Sequence, residues 1–328
     1  MAVWNEVLAE FNGITDLQAR IEWLNSQMQA RLVNISTHRA GNNVLLYGSA
    51  FLQKPESPGQ YIAITGEDLN GLMPVIHGMD WSKGLSLVLH TPGGVTNAAE
   101  TIVDYLRSKF PSIEVIVPTY AMSAGTMISL ASELVVLGRQ SQLGPIDPQM
   151  GVGGRFISCR AVVEQFERAK LEIVGDPAKG LEGDLSMAHV WAPVLGTIGP
   201  ALLQEAQNAL DYSERMVATW LSKYMFKADG SNAVAKGQAV AMHFNDAATH
   251  LSHGRRIDRK EAKDHGVNVE ELEGDQVLQE DVLTLYHLMT IAFENTTATK
   301  IIEGTGGGRW VKSWNPPIQF PAGFAAPG

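Results

Sequence analysis

Apolar and polar positions in the first half of the chain follow a pattern that predicts strands separated by helices. Short apolar runs bounded by turn residues are typical of buried strands, and they lie at 44–47, 61–64, 85–90, 113–117 and 134–137. Apolar residues at helical spacing predict helices at 14–33, 67–79, 97–110 and 123–131. This alternation predicts an α/β fold whose mainly parallel sheet is covered by helices on both faces.

The pattern changes after Gly138, where a loop-rich stretch is followed by helices predicted at 160–172, 200–227 and 274–302. The end of the chain, from residue 304, is rich in glycine and proline, which predicts an irregular tail with Trp310 and Trp314 as docking points. We therefore expect three parts: an N-terminal helical segment (1–40), a sheet-containing core (41–270) and a C-terminal helix with the tail (271–328).

Composition narrows the classes of function. The 328 residues include 35 acidic and 25 basic side chains, and the resulting charge of −10 repels a phosphate backbone, so we expect no nucleic-acid partner. The nearly uncharged stretch 187–203 is interrupted by prolines and glycines and is shorter than the roughly 20 apolar residues of a membrane helix. The start lacks a basic and apolar leader, and the single Cys159 excludes an internal disulfide. We therefore expect a cytoplasmic protein with no integral membrane segment.

Residues that can support chemistry lie in three loops, each of which follows a predicted strand. In the first loop, Gly93 and Gly94 can bring backbone N–H groups close to a ligand. In the second, Ser123 lies between a strand and a helix, with small neighbours on both sides. The third is the turn-rich segment 137–149. Because the carboxyl ends of parallel strands meet at one edge of a sheet, we expect the three loops to meet.

Taken singly, the glycine pair is an ordinary turn and the serine an ordinary helix cap, but their order and spacing are more specific. His90-Thr-Pro-Gly-Gly94, Ala121-Met-Ser-Ala-Gly-Thr126 and Ser141-Gln-Leu-Gly-Pro-Ile-Asp147 together resemble the serine dehydrogenase proteinase family, whose relatives are ClpP and signal peptide peptidase A. The resemblance covers residues 60–150, and segment 256–267 is similar to the helix and turn that close the core in these proteins. It implies a ClpP/crotonase-like core, a peptide or unfolded-protein substrate, and a homo-oligomer.

The resemblance also implies roles for individual residues. In that family the serine of the Ser-Ala-Gly motif attacks the peptide carbonyl and forms an acyl-enzyme, so this role falls to Ser123. The oxyanion hole is built from the glycine turn and the amide after the serine, which here are Gly93 or Gly94 with Ala124. No metal or organic cofactor is implied.

The general base is less well defined. ClpP uses a histidine whose position falls at 147–149, where this chain has none, whereas signal peptide peptidase A uses a lysine some tens of residues after the serine. We favour Lys179, 56 residues after Ser123, because desolvation over the sheet would lower the pKa of a lysine enough for it to accept the serine proton. His189 is the next candidate, and Lys170 is expected to be a solvated helix residue.

Two other functions stay open: a crotonase-type enzyme acting on acyl-coenzyme A, and a non-catalytic ClpP-like scaffold. No Gly-x-Gly-x-x-Gly turn follows a strand, so a nicotinamide cofactor is not indicated. We expect a structural hydrogen bond for His90, which ends a strand beside the glycine turn. Four histidines that cluster by sequence in the C-terminal part match no zinc signature and are interpreted as surface or packing residues: His243, His250, His253 and His265.

Overall fold

The computed structural model describes residues 4–196 and 201–316. The strands are β1 (Asn43–Ser49), β2 (Leu85–His90), β3 (Ile113–Val117), β4 (Tyr120–Ala121), β5 (Leu134–Leu137), β6 (Gln142–Leu143), β7 (Gln149–Val152), β8 (Arg155–Ser158), β9 (Gly175–Asp176), β10 (Leu181–Glu182), β11 (Val269–Glu271), β12 (Ala298–Gly304) and β13 (Arg309–Ser313).

The helices are α1 (Trp4–Gly13), α2 (Leu17–His38), α3 (Gly59–Ile62), α4 (Asp68–His77), α5 (Thr96–Arg107), α6 (Ala124–Leu130), α7 (Cys159–Val174), α8 (Ala188–Gly196), α9 (Leu202–Lys223), α10 (Ala233–Asn245), α11 (Ala247–His250), α12 (Arg259–Asp264) and α13 (Gln276–Asn295). Short 3₁₀ turns lie at Pro177–Lys179, Leu185–Met187, Lys227–Asn232 and Leu272–Gly274.

Within the described residues, seven strands form one central sheet in the order β11-β5-β3-β2-β1-β12-β13. The first five run parallel to one another, while β12 is antiparallel to β1 and β13 is antiparallel to β12. Strands β2 and β3 are buried along their whole length, as their continuous apolar sequences predict. The predicted α/β fold with a mainly parallel sheet is confirmed.

Helices cover both faces of this sheet. On one face, Met28 of α2 and Leu285 of α13 pack in one apolar cluster with Val88 of β2. On the other face, Leu87 of β2 packs with helices that include α5 and α9, through residues such as Ile102. Neighbouring residues of a strand point to opposite faces, and each such buried side chain stabilises the fold by about 1.5–3 kcal/mol. The two clusters fix the sheet whose carboxyl edge carries the three loops.

Several predictions of secondary structure need correction. Residues 61–64 are not a strand, because α3 ends at Ile62 and only Ile64 forms a bridge, with Gly94. The predicted helix 274–302 ends at Asn295, and its last residues belong to β12. The expected irregular tail contains β13, whose Trp310 packs against the main core, while residues 317–328 lie outside the described residues.

The central sheet therefore takes two strands, β12 and β13, from the segment that we set apart as 271–328. The start of the predicted helix 200–227 falls partly outside the described residues, which resume at residue 201. In the part of the chain that the structure describes, no helix combines the length and apolar character needed to cross a membrane.

Candidate active site

Ser123 has a backbone conformation that is rare for a residue with a side chain. It lies between β4 and α6 with φ 51° and ψ −115°. Such a conformation costs of order 1–3 kcal/mol and persists only where the surroundings impose it. Among the described residues its side chain makes no capping hydrogen bond to α6, so it does not act as an ordinary N-cap. A strained, half-buried serine at a strand-to-helix junction is the arrangement of a nucleophile elbow.

Hydrogen bonds from all three loops hold this elbow in place. From the first loop, Thr91 donates its N–H to the Tyr120 carbonyl at 2.9 Å and accepts from the Met122 N–H at 3.1 Å. From the second, Thr126 donates its hydroxyl to the Ala121 carbonyl at 2.7 Å. The same hydroxyl accepts the N–H of Gly144, from the third loop, at 2.9 Å. The expectation that the three loops meet is therefore confirmed.

The glycine turn lies directly against the elbow. A Cβ built on Gly93 would lie 2.7 Å from the Cβ of Ser123 and 3.1 Å from the nitrogen of Ala124. Gly93 has φ +97°, which L side chains rarely adopt, and its N–H donates to the hydroxyl of Thr91 at 3.1 Å. Among the described residues, the N–H groups of Gly94 and Ala124 have no hydrogen-bond acceptor. The turn and the elbow thus bring backbone donors together beside the serine, as an oxyanion hole requires.

A carboxylate of the third loop is paired with an imidazole from a distant part of the chain. A Cβ on Gly144 would lie 3.5 Å from the Ser123 nitrogen, and Asp147 follows three residues later, within about 11 Å of Gly144 along the chain. Asp147 is 2% exposed, and its Oδ1 lies 2.8 Å from Nδ1 of His253. Its Oδ2 accepts a hydrogen bond from Gln149 at 3.1 Å. Both carboxylate oxygens are therefore held, and the imidazole is oriented by one of them.

The sequence did not reveal that His253 pairs with a residue of the third loop. It lies 130 residues after Ser123 and was interpreted as a surface or packing histidine. The fold brings it to the third loop because Leu143 and Ile257 exchange backbone hydrogen bonds of 2.9–3.0 Å. The only sequence signal was its place just before segment 256–267. In the tautomer that carries its proton on Nδ1, His253 donates to Oδ1 of Asp147 and has its lone pair on Nε2.

The three candidate bases from the sequence lie on exposed elements. The Lys179 side chain is 75% exposed and its Nζ lies 3.1 Å from the carboxylate of Asp176. The Lys170 side chain is 70% exposed, and His189 is exposed on α8. Among the described residues, no hydrogen bond or ion pair links any of the three to Ser123. The desolvation that we expected for Lys179 is not present in the single chain.

His90 is a buried, neutral residue beneath the site. Burial lowers the pKa of His90 to about 3. Its Nδ1 lies 2.8 Å from the Thr119 hydroxyl, which confirms the expected structural hydrogen bond. The ring packs between Phe51 and Tyr286, at centroid distances of 5.0 and 5.1 Å. A histidine that stays neutral in this setting supports the end of β2 and does not carry a charge in the site.

The described residues contain no group of three or more His, Cys, Asp or Glu side chains placed to hold a metal ion. His243 instead stacks on His265, with ring centroids 3.4 Å apart and planes 6° apart. Cys159 is buried, and burial raises the pKa of its thiol to about 11. These residues are packing elements near the site.

The sequence of this region matches a known family. Residues 57–179 match the model of the ClpP-like SDH-type serine proteinases. The matched segment includes all three motifs, with Gly93, Ser123 and Asp147. The resemblance of these motifs to the serine dehydrogenase proteinase family is therefore confirmed.

Individual proteins match over shorter segments or at low identity. The chain is 41% and 36% identical over 91 residues to two uncharacterized proteins of Methanocaldococcus jannaschii, MJ0137 and MJ1495. These alignments cover 28% of this chain and 32% and 31% of the relatives, so the chain matches about a third of the length of each relative.

Solved structures to which the chain is similar at low identity include the membrane-bound stomatin-specific protease 1510-N and ClpP1 from Listeria monocytogenes. The first is 20% identical and covers 64% of this chain and 74% of its own, with a TM-score of 0.36. The second is 16% identical and covers 64% of this chain and 88% of its own, with a TM-score of 0.34.

Proposed function

We propose that this chain, which matches a serine proteinase family over residues 57–179, is a serine peptidase that hydrolyses peptide bonds through an acyl-enzyme on Ser123. The observation that carries the proposal is the strained backbone of Ser123, with φ 51°, packed against the glycine turn. A serine held in this way, with backbone amides beside it, is the arrangement that acyl transfer requires, and it supports the proposal.

In the proposed mechanism, Oγ of Ser123 attacks the peptide carbonyl carbon and the carbonyl oxygen gains the negative charge. The N–H of Ala124 and the N–H of Gly93 or Gly94 then donate hydrogen bonds to this oxygen. For Gly93 the donation replaces the 3.1 Å bond to the Thr91 hydroxyl. Removing one such donor typically lowers the rate by about 100- to 1000-fold.

For the general base we propose His253, oriented by Asp147. Nε2 accepts the Ser123 proton as Oγ attacks, and it returns this proton to the leaving amine, which leaves an ester on Ser123. Water then attacks the ester by the same route and regenerates the free serine. The support is the 2.8 Å bond from Asp147 to Nδ1, together with the Gln149 bond that fixes the second oxygen of Asp147. Hydrogen bonds to the nucleophile often tighten only when substrate binds.

Lys179 is the alternative base, as the resemblance to signal peptide peptidase A implies. A Ser–Lys pair would require Lys179 to leave its ion pair with Asp176 and to lose its 75% exposure, for example against a second subunit. The two bases make opposite predictions for single substitutions, so the choice between them is experimental.

We also propose that the protein acts on peptides or unfolded chains as a cytoplasmic homo-oligomer. Large apolar side chains are exposed in the segment from β8 to α8: Phe156 is 84% exposed, Leu185 77% and Val190 59%. Side chains of this kind favour burial against another subunit. Sedimentation velocity should show an assembly, and a monomer at working concentration would contradict this proposal.

The experiment that tests the function is labelling with a fluorophosphonate probe, which reacts with activated serines. Ser123→Ala should abolish labelling. His253→Gln should slow labelling at least about 100-fold, whereas the matched control His189→Gln should not change it. Lys179→Ala should behave like its control Lys170→Ala, with little change.

Other outcomes lead to different conclusions. If Lys179→Ala slows labelling and His253→Gln does not, the Ser–Lys mechanism replaces the proposed one. If the intact oligomer is not labelled at all, the non-catalytic scaffold is the better description. Hydration of an acyl-coenzyme A that survives Ser123→Ala would instead indicate a crotonase-type enzyme.

A further inference from the structure

A lysine, an aspartate and a tyrosine form a buried hydrogen-bonded network near the glycine turn. Lys300 of β12 and Asp68, the first residue of α4, have side chains that are 0% exposed, and their Nζ and Oδ1 atoms lie 2.6 Å apart. Tyr47 of β1 donates its hydroxyl to Oδ2 of Asp68 at 2.8 Å. Desolvation lowers the pKa of Lys300 and raises the pKa of Tyr47 well above its usual value. Well-packed apolar side chains often stabilise a core at least as well as a buried ion pair does, so stability alone does not explain why this pair is buried here.

Asp68 also holds the segment that precedes α4. The N–H of Thr65 donates to Oδ2 of Asp68 at 2.8 Å. Ile64, the residue before Thr65, lies along the glycine turn and forms two backbone hydrogen bonds with it. Its N–H donates to the Gly93 carbonyl at 2.7 Å, and its carbonyl accepts from Val95 at 2.9 Å. The network is therefore connected to the turn through the peptide bond between Ile64 and Thr65.

The bond from Ile64 sets the orientation of the peptide between Gly93 and Gly94. In a trans peptide the C=O and N–H groups point in opposite directions. Since the Gly93 carbonyl points to Ile64, the Gly94 N–H points away from it. A shift of Ile64 would rotate this peptide, and Gly93 is the residue that contacts Ser123.

We propose that Asp68, anchored by Lys300 and Tyr47, is a positioning residue that holds Ile64 against the glycine turn and thereby aims the turn's amides at the reacting carbonyl. The proposal rests on the serine peptidase function proposed above. Asp68 itself touches no substrate. Lys300 holds one carboxylate oxygen, which leaves the other to accept from Tyr47 and from the N–H of Thr65. An apolar side chain at this position could not accept the Thr65 N–H.

Two double variants test whether the turn is held by the side-chain oxygen at position 68 or by the buried ion pair. Asp68→Asn/Lys300→Met and Asp68→Leu/Lys300→Met both remove the ion pair, but only the asparagine keeps an oxygen for Thr65. Hydrogen exchange should be at least about tenfold faster at the amides of Ile64 and Val95 in the leucine variant. Both amides should stay near the wild-type rate in the asparagine variant. Amides of β3 should be unchanged in both and serve as the internal control.

A second readout uses the fluorophosphonate reaction. The maximal labelling rate should fall at least about tenfold in the leucine variant, because an oxyanion donor is misplaced. The probe concentration that gives half-maximal labelling and the pH dependence of labelling should both stay at their wild-type values. A shifted pH dependence would assign the network to proton transfer and overturn the positioning role.

The labelling experiment tests the peptidase function, and the exchange experiment tests the positioning role independently of it. If wild-type protein is not labelled, the peptidase function fails, while the exchange rates still decide whether Asp68 holds the turn. Equal exchange at Ile64 in the two double variants overturns the proposal. If either double variant does not fold, Tyr47→Phe tests the same network with its charges intact, and we expect about threefold faster exchange at Ile64 than in the control Tyr61→Phe. No difference between these two variants also overturns the proposal.

Discussion

Gly93 packs so closely against Ser123 that no side chain fits at position 93 unless the turn moves. A Cβ on Gly93 would lie 2.7 Å from the Cβ of Ser123, below the 3.0 Å that real Cβ atoms keep. Gly93 has φ +97° and Ser123 has φ 51°, so both backbones are in the region that L residues avoid. The strained serine and the glycine that packs against it therefore form one unit. This unit is the feature that most clearly separates the site from an ordinary turn and helix cap.

Gly93→Ala should inactivate the site without unfolding the protein. The added methyl group cannot occupy the space beside Ser123, so the turn must move and its amides leave their positions. We expect fluorophosphonate labelling to slow at least about 100-fold. Gly151→Ala is the control, because a Cβ there meets nothing within 4 Å. Labelling of Gly93→Ala within threefold of wild type would show that the turn is not part of the site.

The strain at Ser123 should be measurable as a difference in the free energy of unfolding between two variants. The conformation with φ 51° and ψ −115° mirrors the extended region and is accessible to glycine. Ser123→Gly should therefore relieve strain that Ser123→Ala keeps, although glycine also gains freedom in the unfolded chain. We expect the glycine variant to be more stable by about 1 kcal/mol in urea unfolding. A glycine variant less stable than the alanine variant would show that the backbone is not strained.

The parts of the fold that could be predicted are those where one physical signal dominates. Strands 85–90, 113–117 and 134–137 were predicted to the residue, because a continuous apolar run between turns has few other solutions. Residues 61–64 carry the same signal but form only one bridge, at Ile64, since the glycine turn offers no regular partner strand. The helix 274–302 was predicted too long, because a buried helix and a following buried strand are both apolar.

Some residues of the candidate site could likewise be predicted from the sequence, whereas others could not. Ser123 and the glycine turn lie in loops directly after strands, so their spacing alone indicated that they meet. The pairing of Leu143 with Ile257 helps to bring His253 to Asp147, and this tertiary contact is not encoded by spacing. Lys179 was favoured because we expected it to be desolvated over the sheet, but burial is a property of the folded chain that its place in the sequence does not determine.

Asp147→Asn should slow the reaction by disturbing His253. An amide can donate to Nδ1 and so favour the wrong tautomer, with the proton on Nε2, which cannot accept from serine. We expect labelling to slow at least about 100-fold, with the melting temperature nearly unchanged because the two side chains have the same shape. The matched control is Asp176→Asn, which removes the carboxylate partner of Lys179. Should Asp176→Asn speed the reaction while Asp147→Asn leaves it unchanged, Lys179 would be the base, because it must leave its ion pair with Asp176 to act.

His90 should make the protein sensitive to mild acid. Burial lowers the pKa of His90 to about 3 in the folded state, whereas the ordinary value is 6.5. The unfolded chain therefore binds a proton at His90 more readily than the folded chain does. This contribution to stability is complete above pH 6.5 and is lost as the pH falls from 6.5 towards 3. Between pH 7 and pH 5 the loss from this one residue is about 2 kcal/mol.

His90→Asn removes the titrating group and keeps a polar atom for the Thr119 hydroxyl. Its free energy of unfolding should fall by about 2 kcal/mol less than that of wild type between pH 7 and pH 5. The variant is expected to be less stable at pH 7, so the comparison is between the two pH dependences and not between absolute stabilities. His189→Asn, at an exposed position on α8, should leave the pH dependence unchanged. If His90→Asn follows the wild-type pH dependence, the imidazole accepts a proton in the folded protein, and the interior around Phe51 and Tyr286 must open to let it do so.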